Sequence, residues 1–201
     1  MAKQKIDLAS WLQLNVDPIS RIIYLGSISN LHEQDAGVDF SMAEQAIKSL
    51  LALDLLEPSG KKPITVLLNT PGGDKDHGLA IYDAIRSCKN PVNVVVYGAA
   101  YSMGSLILQA ASHRVVAPNA RIMLHYGHLS ISDNPQTVYR WADESKKMDR
   151  KFEDIYLERI YEKHPNFSRE KIQELLKIDT ILSAQEAVDL GLADTVLEYR
   201  D

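Results

Sequence analysis

The spacing of apolar positions changes along the chain and lays out its elements. Three largely apolar runs read as strands: RIIYL (21–25), short and buried; ITVLL (64–68), continuous as expected when both faces are covered; and VNVVVY (92–97). Two shorter runs at 114–117 and 121–124, parted by the turn PNA, read as two more. Between them the spacing lengthens to threes and fours. This predicts helices over 41 to about 56, 77–88 (Leu79, Tyr82 and Ile85 on one stripe) and 102–111. Strands alternating with helices imply parallel crossover units and an α/β fold. A short helix is predicted over 7–14, with Leu8, Trp11 and Leu12 on one side. Ser41 and Glu44 have the spacing of a capping box, with Phe40 placed to staple back onto the first turn. Ser183 and Glu186 repeat that spacing ahead of a helix over 183–190 that Gly191 would end, and 168–177 reads as another short helix.

One periodic stretch is longer than the rest. Residues 137–163 carry Val138, Trp141, Met148, Phe152 and Ile155 at alternating threes and fours, and the remaining face is densely charged. A helix of this length spans about 40 Å. It reads either as an amphipathic helix laid on the body or as a projecting helix that packs against another subunit.

Size and charge narrow the class. The chain of 201 residues reads as one domain, with a 45% hydrophobic and 24% charged balance that is ordinary for a soluble globular protein. A net charge of −5 without any Lys/Arg run excludes a general nucleic-acid binder. The single cysteine, Cys88, cannot form an internal disulfide, so a reducing, cytoplasmic location is expected. Its place late in a helix suits a buried small apolar side chain better than a nucleophile. The start, MAKQKIDLASWLQL, lacks an apolar run ending in a small-residue cleavage site and is not read as a secretory signal. The most apolar stretch, 92–108, is interrupted by Asn93, Gly98, Ser102 and Gly104 and falls short of a membrane span. No GxxxxGK[ST] loop occurs, which excludes a nucleotide-driven motor of that type, and no cofactor is expected.

The candidate chemistry centres on Ser102. The chain leaves the strand at 92–97, is predicted to turn at Gly98, Ala99 and Ala100, and starts a helix at or near Ser102. That exposes a hydroxyl beside free helix N–H groups. Acyl transfer also needs a base, a group that orients the base, and donors for the oxyanion. The Met103 N–H is the first free donor of the helix. Gly73, in the turn TPGGD (70–74), is a second because a residue without Cβ lets backbone approach substrate closely. His125 closes a later strand and can reach the same sheet edge, where open α/β sheets bind ligands. Asp179, in KIDTILSA, is the orienting candidate. Taken alone, each has a plainer reading: a helix cap for Ser102, a type II turn for TPGG, a structural role for His125 and none for Asp179. His125 and His128 also suggest a metal, but no third ligand stands nearby and no metal is expected. An α/β-hydrolase elbow is excluded, since Ala100 stands where GxSxG needs glycine and the order is Ser, His, Asp.

From residue 7 to 197 the chain resembles the ClpP family, the proteolytic subunits of the Clp protease. The matching pieces stand in family order: DLASWL then RIIYLG, NTPGG with GLAIYDAI, GAAYSMGS, APNARIMLH, and DTILSAQEAVDLGLAD. The resemblance implies the ClpP/crotonase-like α/β fold, a spiral of β-β-α units. It implies a single domain with a head (7–134 and 165–201) and a protruding handle helix (135–164). It further implies serine endopeptidase activity on peptides or unfolded chains, inside a homo-oligomeric barrel of two stacked heptameric rings. Carried over by position, Ser102 is the nucleophile, His125 the base and Asp179 its orienter, with Gly73 and Met103 forming the oxyanion hole.

Three departures from the family pattern set further expectations. The family's axial N-terminal hairpin precedes the segment matching DLASWL, and only residues 1–6 stand there. The family's docking of a Clp-type ATPase is therefore not carried over as an expectation for this chain, and a wider or ungated pore is expected. Thr180 stands where family members carry an Arg that pairs across the ring–ring interface. His125-Tyr126-Gly127 replaces His-Gln-Pro, and the charged Asp74, Lys75 and Asp76 follow the Gly pair, both where an extended substrate would lie. Residues 13–18 read as an insertion before the first strand. Two other readings share the superfold: a catalytically silent or regulatory ring subunit, and a crotonase-like acyl-CoA enzyme. A membrane-anchored Ser/Lys peptidase lacks both its lysine and its anchor.

Overall fold

The computed structural model describes residues 8–26 and 37–199. Its centre is a sheet whose interior strands are the apolar runs: β2 (Ile22–Gly26), β3 (Ile64–Thr70), β4 (Val92–Tyr101) and β5 (His113–Val116). These pair in parallel in that order, and β8 (Thr195–Val196) adds beyond β5. Parallel neighbours need long crossovers. The chain supplies them as α2 (Phe40–Leu56), α3 (Lys75–Ser87) and α4 (Met103–Gln109). Every residue of α4 is buried, and the predicted α3 stripe of Leu79, Tyr82 and Ile85 is buried too. The core is continuous across sheet and helices, with Ile23, Ile64, Val66, Leu68, Val94, Val96 and Ile107 fully enclosed.

Several boundaries differ from the expectation, each for a local reason. The predicted turn at Gly98, Ala99 and Ala100 is strand: β4 runs on to Tyr101. Its register with β3 advances from Leu68↔Val96 to Thr70↔Ala100, so two residues of β3 face four of β4. Gly98 absorbs that bulge at φ +68°, and the Ala99 N–H donates to Asn69 Oδ1 at 3.1 Å. Beyond the bulge β4 changes partner from β5 to β6 (Arg121–Leu124). The Ser41 box is not formed. Asp39, in extended backbone, caps α2 by accepting from the Met42 N–H at 2.8 Å, so the helix opens at Phe40, which is exposed. The insertion at 13–18 carries a short antiparallel edge strand, β1 (Val16–Asp17), paired to β2. The first helix, α1, spans Leu8–Leu14; Asp7 lies outside the described residues, and Leu8 and Leu12 face solvent rather than core.

The C-terminal third holds α5 (Pro135–Lys163), α6 (Arg169–Leu176), β7 (Thr180–Ser183) and α7 (Ala184–Leu190). The Ser183–Glu186 capping box and the left-handed Gly191 cap frame α7 as read from the sequence. In α5 all six buried side chains lie between Phe152 and Ile160. The first half of this 29-residue helix has no fully buried side chain; Met148 is partly buried against the core, and Tyr139 and Trp141 are exposed.

Candidate active site

Two strand registers bring the remote residues together. In the antiparallel β6–β7 ladder Leu124 faces Thr180. One step past the ladder, His125 and Asp179 stand opposite each other. In the parallel β4–β6 pair Tyr101 faces Met123, and the next N–H, that of Ser102, donates to the Met123 carbonyl at 2.9 Å. Ser102 thus leaves β4 beside the end of β6. His125 Nε2 lies 2.8 Å from Ser102 Oγ, and His125 Nδ1 lies 2.9 Å from Asp179 Oδ1. An ionised carboxylate only accepts, so Nδ1 carries the proton and donates it to Asp179. Nε2 is then the acceptor for the Ser102 hydroxyl.

Ser102 occupies the N-cap position of α4 but does not cap it; its side chain makes no bond to the helix backbone. It sits at φ +52°, ψ −119°, one of three side-chain-bearing residues with positive φ among those described. Its carbonyl accepts from the Ser105 and Leu106 N–H groups, which hold the elbow in place. The Gly pair presses on this elbow. A Cβ on Gly72, at φ +96°, would lie 2.6 Å from Ser102 Cβ, and one on Gly73 would lie 2.3 Å from the Val38 carbonyl oxygen. Gly73 is held by a backbone bridge in which Val38 N–H donates to Gly72 O and Asp74 N–H donates to Val38 O. That leaves the Gly73 N–H outside the bridge. The N–H of Met103, first residue of α4, has no acceptor within its own helix.

A cavity of about 560 Å³ opens over these atoms, lined by Ser102, Met103, Leu106, His125 and Gly73 on the sheet side and by Trp141, Met148 and Phe152 of α5. The upper part of the α5 stripe therefore walls this cavity, with Trp141 exposed and Met148 and Phe152 also packed on the core. The departures noted in the sequence also line it: Asp74, Lys75, Asp76, Tyr126 and Gly127. Asp74 caps α3 through the Asp76 and His77 N–H groups. Lys75 Nζ stands 5.4 Å from the Phe152 ring centre and 3.8 Å from Asp149 Oδ1. Burial holds the Asp149 carboxyl above its ordinary range, against the opposing charge of Lys75.

The remaining candidates sort out plainly. His128 lies edge-on to His125 with 6.1 Å between ring centres, and no cluster of three or more metal-ligating side chains occurs among the described residues. Cys88 is half-buried, donates to the Ala84 carbonyl, and has its thiol pushed up to about 11 by burial, which keeps it protonated and inert. Among the described residues no helix is long and apolar enough to cross a membrane. Sequence reasoning missed Gly72 as the contact behind Ser102 and missed Glu153, a buried carboxylate that accepts from the Tyr126 hydroxyl at 2.7 Å. A charged residue amid the buried side chains of α5 was the only sign of the latter.

Residues 20–200 match the family described as Clp protease. The chain belongs to the Clp protease family. Membership makes it a peptidase at the level of the family, and the eight-stranded mixed sheet with seven helices among the described residues is the α/β architecture expected of a Clp protease. Clp proteases generally assemble into rings of their own subunits.

Proposed function

We propose that this chain is a serine endopeptidase of the ClpP type, acting on peptides or unfolded polypeptides by a Ser102–His125–Asp179 triad. The observation that carries the reading is the unbroken run of hydrogen bonds, 2.8 Å from Ser102 Oγ to His125 Nε2 and 2.9 Å from His125 Nδ1 to Asp179. Ser102 Oγ attacks the scissile carbonyl while its proton passes to Nε2. Asp179 keeps the Nδ1–H tautomer and offsets the imidazolium charge. The N–H groups of Gly73 and Met103 receive the oxyanion. The imidazolium then protonates the leaving amine. A water, giving its proton to Nε2, attacks the ester carbonyl and returns Ser102 free with a carboxylic acid product. The cavity between the sheet edge and α5 suits an extended chain with one side chain seated against Met103, Leu106 and Phe152.

The same proposal gives the unburied half of α5 the role of a handle between two stacked rings, with heptamers as the family-derived ring size. A chamber closed in this way confines cleavage to threaded or short peptides. Hydrolysis of an unstructured fluorogenic peptide tests the reading. The wild-type protein is expected to cleave it, and Ser102→Ala and His125→Ala to lose about 10³-fold or more in kcat, non-additively when combined. Full activity in Ser102→Ala overturns it.

A further inference from the structure

The segment that carries His125 is fastened from behind by groups the reaction scheme does not use. Tyr126, the next residue, donates its hydroxyl proton to Glu153 Oε1 at 2.7 Å, and its N–H donates to the Leu176 carbonyl at 2.9 Å. Glu153 is only 3% exposed, and its other donors come from α6: Arg169 Nη1 at 2.7 Å, and Gln173 Nε2 at 3.2 and 3.3 Å. A carboxylate buried to this degree is costly unless every lone pair is met, and here α6 and Tyr126 meet them together. Burial, then the bond to Glu153, holds the Tyr126 phenol well above its ordinary range, so it remains a neutral donor. The other half of the site ends on the same helix. Thr180, next to Asp179, donates Oγ1–H to the Leu175 carbonyl at 2.7 Å. Successive carbonyls at the end of α6 thus hold the residues that follow His125 and Asp179. Gly127, at φ +79°, lets the chain turn away directly after Tyr126.

We propose that Glu153, acting through the Tyr126 hydroxyl, is a positioning residue that sets where the His125 ring stands relative to Ser102. The anchor lies wholly within one protomer, joining the base to α5 and α6. This inference rests on the serine-peptidase reading above. Tyr126 also lines the cavity. A role in substrate contact is the competing explanation, and the two differ in which kinetic constant they move.

Tyr126→Phe removes one oxygen and leaves the ring in place. It is compared with the wild-type protein at a temperature where circular dichroism shows both fully folded. Expected are a ten- to hundredfold fall in kcat, of the size that a small misplacement of a reacting group produces. KM should stay within about twofold, and the second-order rate of fluorophosphonate labelling at Ser102 should fall in parallel. Glu153→Gln is expected to give a similar fall, and the double variant little more than either, as for two groups in one hydrogen-bonded chain. Wild-type kcat and labelling in Tyr126→Phe overturn the inference while leaving the peptidase reading intact. A raised KM at unchanged kcat overturns it in favour of substrate contact. A wild-type protein that neither hydrolyses peptide nor takes the label fails the peptidase reading itself and takes this inference with it.

Discussion

Ser102 is held in a backbone conformation that costs a residue with a side chain about 1–3 kcal/mol. Bonds from Ser102 N–H to Met123 O and from the Ser105 and Leu106 N–H groups to Ser102 O keep it there. In the proposed triad the strain would have a chemical use, since the Ser102 hydroxyl makes no cap to the helix and lies instead against His125. The opposite wall is equally constrained. Gly73 sits at φ +150°, wedged against Val38, with its N–H directed away from that bridge. Gly73→Ala must move this backbone, because the added Cβ would fall 2.3 Å from the Val38 carbonyl oxygen. Displacing one oxyanion donor is expected to lower kcat by about 10²-fold, with a much smaller change in KM. Steady-state kinetics on a short peptide reads this directly, and wild-type kcat in the variant would remove Gly73 from the oxyanion hole.

Among the elements, those with strong local patterns were legible in the sequence and those defined by their neighbours were not. The interior strands are visible as apolar runs, although only alternate side chains of β2, β3 and β4 are fully buried, so one sheet face is core and the expected cover on the second is only partial; α7 announces both its ends through Ser183, Glu186 and Gly191. By contrast β1 is two residues long, and β7 is four residues long and half-exposed, so neither carries an alternation worth reading. Yet β7 supplies the register that sets Asp179 against His125, which is why Asp179 could be named from resemblance but not from spacing. The end of β4 was hidden likewise: Gly98 reads as a turn, and only the change of partner from β5 to β6 makes it a bulge. A second non-local tie closes the far edge of the sheet. Arg114 of β5, with its side chain 4% exposed, donates to Asp194 just ahead of β8 and to the Gln109 and Gly191 oxygens. Arg114→Met is expected to cost about 3 kcal/mol in denaturant unfolding, the lower end for a broken buried pair because Asp194 is partly exposed. Burial raises the Asp194 carboxyl, but the hydrogen bonds and charge of Arg114 outweigh it and hold it below its ordinary range. A depressed carboxyl stabilises the fold above its unfolded value and loses that contribution as pH falls through the folded one. The stability gap between wild type and variant should therefore narrow below about pH 4.

At the scale of the whole molecule, α5 does two jobs with its two halves. Its second half is core, through Phe152, Ile155, Tyr156 and Ile160. Its first half touches the core only through the partly buried Met148, walls the cavity with Trp141 and Met148, and leaves Tyr139 exposed. A helix half with no fully buried side chain in its own protomer is suited to burying something in an assembly, as the proposed handle would. Tyr139→Glu is expected to halve the assembly mass in sedimentation velocity, from paired to single rings, without lowering the unfolding temperature. An unchanged mass would assign ring pairing to another surface. The proposed peptidase function depends on Ser102 being able to form a covalent acyl-type bond in the folded protein. Mapping a fluorophosphonate adduct by peptide mass spectrometry tests this most directly. A single modified residue, Ser102, is expected, with no adduct in Ser102→Ala. An adduct on a different residue, or a folded and assembled protein that takes none, would contradict it.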